Sequence, residues 1–116
     1  MPAAVIASRR WRPAAGAPLL LALLSLTATA QTVLEVRIAD YRFDPPTVSI
    51  KAGDSVRWTN QEKRTSHSVQ FPDENGLESE RLFPDESWLR RFEQPGRYPY
   101  QCGPHPEMKG EVLVAE

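Results

Sequence analysis

The amino-acid sequence predicts an all-β domain, a Greek-key antiparallel β-sandwich, over residues 31–116. Three observations favour this fold. Hydrophobic and polar residues alternate in several short segments, turn-forming residues separate those segments, and no amphipathic helical pattern occurs after residue 30. About seven short strands at close spacing in so short a region are typical of a sandwich.

Seven segments have the period-two alternation or the β-branched and aromatic content of strands. In chain order they are residues 33–39, 47–50, 55–60, 67–71, 88–92, 98–101 and 110–115. The first is the clearest, since Leu34, Val36 and Ile38 alternate with polar residues. In the sixth, Pro99 removes a backbone donor, so we expect that strand to lie at a sheet edge or to be kinked there.

The connections are predicted from residue types that favour turns and loops. Two prolines exclude helix from residues 41–46, which we interpret as a loop. Residues 51–54 are predicted to form a glycine-containing turn. Residues 72–81, four of which are acidic, are predicted to form an exposed loop with at most one helical turn. We interpret these acidic residues as a solvated surface rather than a docking patch.

The first thirty residues have the three-part pattern of a secretory signal peptide. A basic stretch at residues 8–12 precedes an apolar run at 17–26 and small residues at 28–30, which predicts cleavage between Ala30 and Gln31. The apolar run is about half of the roughly 20 residues that a transmembrane helix needs. We therefore predict an exported, periplasmic protein without stable membrane insertion, with an uncleaved anchor as the alternative and the export route left open.

The charge of residues 31–116 argues against one class of function. They contain 11 Lys and Arg against 15 Asp and Glu, a net charge of −4, spread along the chain. A nucleic-acid-binding domain of this size would carry a basic face. We therefore expect no nucleic-acid partner.

The sulfur and imidazole side chains are few and concentrated. After residue 30 the chain has one Cys, one Met and two His, and three of these four follow each other at three-residue spacing as Cys102, His105 and Met108. The fourth is His67. Two imidazoles, one thiolate and a weak thioether form the donor set of a blue-copper site. We therefore predict that these four residues bind one copper ion.

Other interpretations of the same residues are weaker. Singly, Cys102 is typical of a small buried hydrophobic residue, His105 of a surface loop and Met108 of core filling. Structural zinc sites use Cys and His without Met. A Cys–His nucleophile would need an orienting group that the sequence does not offer, so we predict no enzyme. Trp58 and Trp88 are interpreted as core residues rather than electron relays.

Residues 100–110, YQCGPHPEMKG, resemble the copper loop of the cupredoxins, in the plastocyanin, pseudoazurin and amicyanin branch. The short gap between His105 and Met108 is most similar to amicyanins, and the segments FDPP (43–46), GDSVRWTN (53–60) and HSV (67–69) match the family pattern in order. The resemblance implies a Greek-key sandwich with one type 1 copper and diffusible one-electron transfer in the periplasm. His105 would be the electron port, protruding through an apolar patch.

Two positions depart from that pattern. Ser68 stands where the family commonly has Asn, whose side chain ties the two ligand-bearing segments together. Glu107 stands where amicyanins have an aromatic residue, which places a charge beside the expected electron port. Partner identity is therefore not transferable. We expect a monomer that exchanges electrons with redox proteins such as a cytochrome c, an oxidoreductase or an oxidase.

A second function uses the same fold. A periplasmic copper carrier or resistance protein would bind copper without exchanging electrons. Such carriers tend to expose several Met or His ligands that release the metal. Met108 is the only methionine beyond the initiator, which favours the electron shuttle.

Overall fold

A computed structural model describes residues 31–116, and the predicted signal peptide lies outside the described residues. Within them the chain forms nine strands and a single 3-10 turn, Pro72–Glu74, with no α-helix. The strands are β1 (Val33–Ala39), β2 (Arg42–Asp44), β3 (Thr47–Lys51), β4 (Ser55–Asn60), β5 (Gln70–Phe71), β6 (Leu77–Glu78), β7 (Ser87–Arg91), β8 (Gly96–Gln101) and β9 (Lys109–Ala115). No helix in this part of the chain is long and apolar enough to cross a membrane.

The strands form two sheets that pack as a sandwich. The first has the order β2-β1-β4-β7 and the second the order β3-β9-β8-β5-β6. The all-β, two-sheet prediction is confirmed, but the prediction that every pair is antiparallel is wrong. β1 runs parallel to β4 and β3 runs parallel to β9, so both sheets are mixed. The alternation of side chains determines which face of a strand is buried and carries no information on the direction of its neighbour.

Three segments differ from their predicted secondary structure. Residues 41–46, predicted as a loop, contain the short strand β2, which pairs with β1 across a two-residue turn at Asp40 and Tyr41. Residues 67–71, predicted as one strand, form only β5 and an isolated bridge between His67 and Leu82. The acidic segment contains one helical turn, as predicted, but also the two-residue strand β6, which was not predicted. In each case the element is too short for a period to be visible.

The core is formed by the inward residues of both sheets and by an aromatic cluster. Trp58 is fully buried and lies 5.3 Å from Tyr100 and 6.2 Å from Phe71, measured between ring centroids. Trp88, on β7, is half-buried and packs on Trp58 at 5.5 Å. The guanidinium of Arg90 lies 4.4 Å above the Phe71 ring, a cation–π contact that closes the cluster.

The β8–β9 hairpin determines where the predicted copper loop lies. The two strands pair without interruption, and the pair nearest the loop joins Gln101 to Lys109. Residues 102–108 therefore close one end of the sandwich. Pro99 lies inside β8 and faces Glu111 of β9, and β5 pairs with β8 only at Gln101. The prediction that this strand lies at a sheet edge is wrong, because β8 lies between β9 and β5. Pro99 is tolerated there because β5 pairs with β8 only at Gln101.

Candidate metal centre

The loop between β8 and β9 is a closed turn held by its own backbone. The amide of Cys102 donates to the carbonyl of Met108 at 3.0 Å, and the amide of Met108 donates to the carbonyl of His105 at 2.9 Å. These two bonds turn the side chains of Cys102 and His105 toward each other, with 3.5 Å between Sγ and Nδ1. The loop thereby presents a sulfur and a ring nitrogen at one point.

His67, on a separate segment of the chain, also directs its ring toward the Cys102 sulfur. Its bridge with Leu82 has both backbone hydrogen bonds, at 3.0 and 2.7 Å. The side-chain amide of the buried Asn60 donates to the carbonyls of Thr65 and Leu82, which ties the residues just before His67 to the segment that forms its bridge. The Nδ1 atom of His67 lies 3.5 Å from the Cys102 sulfur.

The three donor atoms form a compact group with the dimensions of a metal site. Those of His67, Cys102 and His105 all lie within 4.8 Å of one another. Bonds of about 2.0 Å to nitrogen and about 2.3 Å to sulfur, meeting at a tetrahedral angle, would separate the two atoms by about 3.5 Å. Both nitrogen–sulfur distances in the structure have this value. The residues therefore fit a single ion bound between them.

Three of the four candidate ligands are buried, and one is partly exposed. His67 and Cys102 are fully buried, and Met108 is 3% exposed at the far end of the loop. His105 is partly exposed. The metal position is therefore enclosed by protein on most sides, and the His105 ring connects it to the surface.

The ionisable groups of the site are tuned by the same burial. Burial lowers the pKa of His67, and the nearby His105 lowers it further, so the neutral imidazole that binds metals is favoured. Burial raises the pKa of the Cys102 thiol. Hydrogen bonds from the backbone amides of Ser68 and His105 lower this pKa and so oppose part of the effect of burial. A metal ion binding at this thiol must therefore displace its proton.

Two residues at the site were not predicted from the sequence. A carboxylate oxygen of Glu62 lies 3.5 Å from Nε2 of His67, which has no hydrogen-bond partner among the described residues. The same oxygen accepts the amide of Tyr41 at 2.9 Å. The Tyr41 ring lies edge-on to His67 and His105, with centroid distances of 5.6 and 5.2 Å. The only signals in the sequence were a Glu in the polar segment before His67 and an aromatic residue in a predicted loop.

The two departures from the family pattern have different surroundings. Ser68 is fully buried, and its hydroxyl accepts the amide of Gly103 at 3.0 Å, so it does connect the two segments. Glu107 is exposed on the loop between His105 and Met108. The charge expected near the electron port is thus at the surface.

Comparison with known proteins identifies the family. A family model described as a cupredoxin-like domain matches residues 13–114. The chain is 43% identical over 84 residues to amicyanin-alpha of Methylorubrum extorquens, covering 69% of this chain and 70% of that protein. It is 36% identical over 104 residues to the chloroplastic plastocyanin of Tetradesmus obliquus, covering 78% and 71%.

The solved structures agree with these relatives. A reduced variant of amicyanin superposes with a TM-score of 0.68 at 31% identity, over 73% of this chain and 84% of the other. A Cu(I) form of another amicyanin variant gives the same TM-score at 32% identity. The residues matched by the family model, 13–114, include both sheets and the loop that brings Cys102 and His105 together. This chain therefore belongs to the cupredoxin family.

Proposed function

We propose that this protein is a periplasmic one-electron carrier whose type 1 copper is bound by His67, Cys102, His105 and Met108. The observation that carries the proposal is the group of three donor atoms within 4.8 Å around a buried cysteine sulfur. Its relatives carry the names amicyanin and plastocyanin, which denote copper electron carriers and not enzymes. Copper is accordingly the cofactor, and when bound it supplies the one-electron couple.

The donor set favours copper over zinc. Thiolate and imidazole suit both metals, but a buried thioether beside them is a feature of copper sites. Met108 is buried and hydrogen-bonded through its backbone to Cys102 and His105, which keeps it within the loop as the candidate axial ligand. We assign His67, Cys102 and His105 as the three strong ligands.

The residues of the site have separable roles in the proposed carrier. His67 is held by its bridge to Leu82 and Cys102 directly follows β8, so we expect the geometry to change little between oxidation states. His105 is partly exposed, and its ring offers the shortest route from the sulfur to a partner protein. The partners are larger redox proteins, such as a cytochrome c, an oxidoreductase or an oxidase, that dock over His105.

Export to the periplasm completes the proposal. The relatives named amicyanin support this location, and residues 1–30 have the composition of a signal peptide. Fractionation of expressing cells should recover the protein in the periplasm with Gln31 as its first residue. Recovery of the uncleaved chain in the membrane fraction would replace this part of the proposal with a membrane-anchored carrier.

The first test is the spectrum of the protein with one equivalent of Cu(II). A strong thiolate-to-copper band in the red region, with narrow copper hyperfine splitting in electron paramagnetic resonance, is expected. Cys102→Ser should abolish the band. Retention of the blue colour in that variant would contradict the ligand assignment.

The second test separates the electron carrier from a copper carrier. The blue protein should pass through repeated cycles of reduction and oxidation without losing copper to a competing chelator, because the donors are already assembled and His67 and Cys102 are buried. Loss of copper on each reduction would favour the copper-carrier function.

A further inference from the structure

Ser68 contacts both chain segments of the metal centre. It follows His67 in sequence, and its backbone amide donates to the Cys102 sulfur at 3.5 Å. Its hydroxyl oxygen accepts the amide of Gly103, the residue after Cys102, at 3.0 Å. Since Ser68 is fully buried, these two hydrogen bonds determine how the cysteine lies relative to His67.

A buried serine hydroxyl is oriented by the acceptor to which it donates its own proton. The hydroxyl has one O–H donor and two acceptor lone pairs, and its proton rotates about the Cβ–Oγ bond. In the structure its proton is donated to a carboxylate oxygen of Glu78 at 3.0 Å. This bond turns the lone pairs of Ser68 toward the amide of Gly103. The three groups thus form a chain of hydrogen bonds in which each donor has one acceptor.

Glu78 is held in place by the strand that carries it. It lies on β6, where it pairs with Gln70 of β5. The next residue, Ser79, fastens β6 to the segment after Ser68, because its amide donates to the carbonyl of Val69 at 2.8 Å and its hydroxyl accepts the amide of Val69 at 2.9 Å. The sheet therefore fixes the backbone position from which the exposed Glu78 side chain reaches Ser68.

Gly103 packs closely against the side chains of Ser68 and Glu78. A Cβ atom at Gly103 would lie 2.6 Å from the Glu78 carboxylate oxygen and 2.7 Å from the Ser68 hydroxyl oxygen. Both distances are shorter than real Cβ contacts allow, so the carboxylate occupies the space that a side chain at residue 103 would need. A side chain at residue 103 would therefore have to displace the carboxylate and the Ser68 hydroxyl from these positions.

We propose that Glu78 is a positioning residue for Cys102, acting through the hydroxyl of Ser68. Ser68 and Glu78 together connect the two ligand-bearing segments, a connection that a single longer amide side chain at residue 68 would make alone. The inference rests on the proposed function, because it concerns the geometry of the proposed copper ligand. It also places a carboxylate near the thiolate, which disfavours the reduced site because reduction lowers the positive charge of the metal.

The first experiment needs no copper. Hydrogen exchange of the Gly103 amide, measured by nuclear magnetic resonance on the copper-free protein, should be about fivefold faster in both Glu78→Ala and Ser68→Ala than in the original protein, because one hydrogen bond is lost or loosened. The double variant should exchange no faster than Ser68→Ala. Glu80→Ala is the matched control, since Glu80 is, like Glu78, an exposed acidic residue and lies two positions along the chain, and it should leave the exchange rate unchanged.

The second experiment uses the copper-loaded protein and separates charge from geometry. Glu78→Gln retains an acceptor for the Ser68 hydroxyl, so it should keep the visible band of the original protein while raising the reduction potential. Glu78→Ala should shift the band as well, because the cysteine is no longer held in one orientation. Glu80→Ala should change neither.

The possible outcomes distinguish this inference from the proposed function. If Ser68→Ala accelerates exchange at Gly103 and Glu78→Ala does not, the carboxylate does not orient the hydroxyl and the inference is wrong. If the original protein gives no blue spectrum, the proposed function fails, whereas the exchange experiment still reports whether Glu78 holds the loop. A blue original protein with an unshifted band in Glu78→Ala would overturn the inference alone.

Discussion

The ring of Tyr41 lies edge-on against the imidazole of His105, with 5.2 Å between the ring centroids. Tyr41 is 52% exposed and occupies the two-residue turn between β1 and β2, with a positive φ of 54° that is unusual for an aromatic residue. The same ring also contacts His67. One aromatic side chain on a tight turn therefore covers both candidate imidazole ligands.

Replacement of Tyr41 should make the metal more accessible. Tyr41→Ala is expected to lose copper to an excess of chelator about fivefold faster, because two edge-to-face contacts are removed from the ligand rings. The rate is measured as the decay of the visible band. Tyr41→Phe is the control and should lose copper at the original rate, since it keeps the ring. Equal rates in all three proteins would mean that Tyr41 does not shield the site.

Replacement of Met108 should test the axial ligand. Met108→Leu conserves volume at a buried position and should cost less than about 1.5 kcal/mol of stability. Copper should be retained and the reduction potential should rise, because removing a weak thioether donor destabilises Cu(II) more than Cu(I). The potential is measured by voltammetry, with thermal unfolding of the copper-free forms as the control for packing. An unchanged potential would show that Met108 is not an axial ligand.

An added methyl group at Gly110 should destabilise the hairpin that carries the loop. Gly110 faces Tyr100 across β8 and β9, and a Cβ at this position would overlap the tyrosine ring. Gly110→Ala should lower the free energy of unfolding by about 1–3 kcal/mol through overpacking. Denaturant unfolding of the copper-free protein measures this loss. In a Tyr100→Leu background the same change should cost less, and equal losses in the two backgrounds would contradict the explanation.

Tyr100 should make the protein less stable at high pH. Burial raises the pKa of its phenol to about 12 from the ordinary value of 10.0. The folded protein thus holds this proton more tightly than the unfolded chain does, and the resulting stability is present in full below pH 10 and is lost as the pH rises through about 12. The loss should approach roughly 2–3 kcal/mol.

The measurement is the free energy of unfolding of the copper-free protein between pH 9 and pH 12. Tyr100→Phe should have a shallower dependence on pH over this range, because it has no phenolic proton to lose. If the two proteins have the same slope, Tyr100 is not the group responsible.

The parts of the fold that were predicted correctly are those with several periods of alternation. β1 and β4 have the bounds that the alternation of their residues indicates, residues 33–39 and 55–60. β2 could not be predicted, since only Phe43 of its three residues is buried. The parallel pairing of β1 with β4 could not be predicted either, because it depends on how the chain returns after crossing to the second sheet.

Part of the candidate site was also predicted from the sequence, and part was not. The scarcity of Cys and His predicted that His67, Cys102 and His105 would converge, and the structure brings these three together. The role of Met108 as an axial ligand stays a prediction. The contact between Ser68 and Glu78 could not be predicted, since it joins residues ten positions apart on different segments, and Glu78 belonged to an acidic stretch that we interpreted as solvated.

The 35 positions that separate His67 from Cys102 give the metal centre a second consequence, for the unfolded chain. With one cysteine, the protein cannot form an internal disulfide in the oxidising compartment to which we expect it to be exported. An ion bound by both residues would cross-link the chain at these positions, and a cross-link over such a loop is worth about 3–4 kcal/mol of chain entropy. Bound copper would then stabilise the folded chain, and its removal would destabilise it. The supply of copper would therefore determine the lifetime of the folded protein as well as its ability to carry electrons.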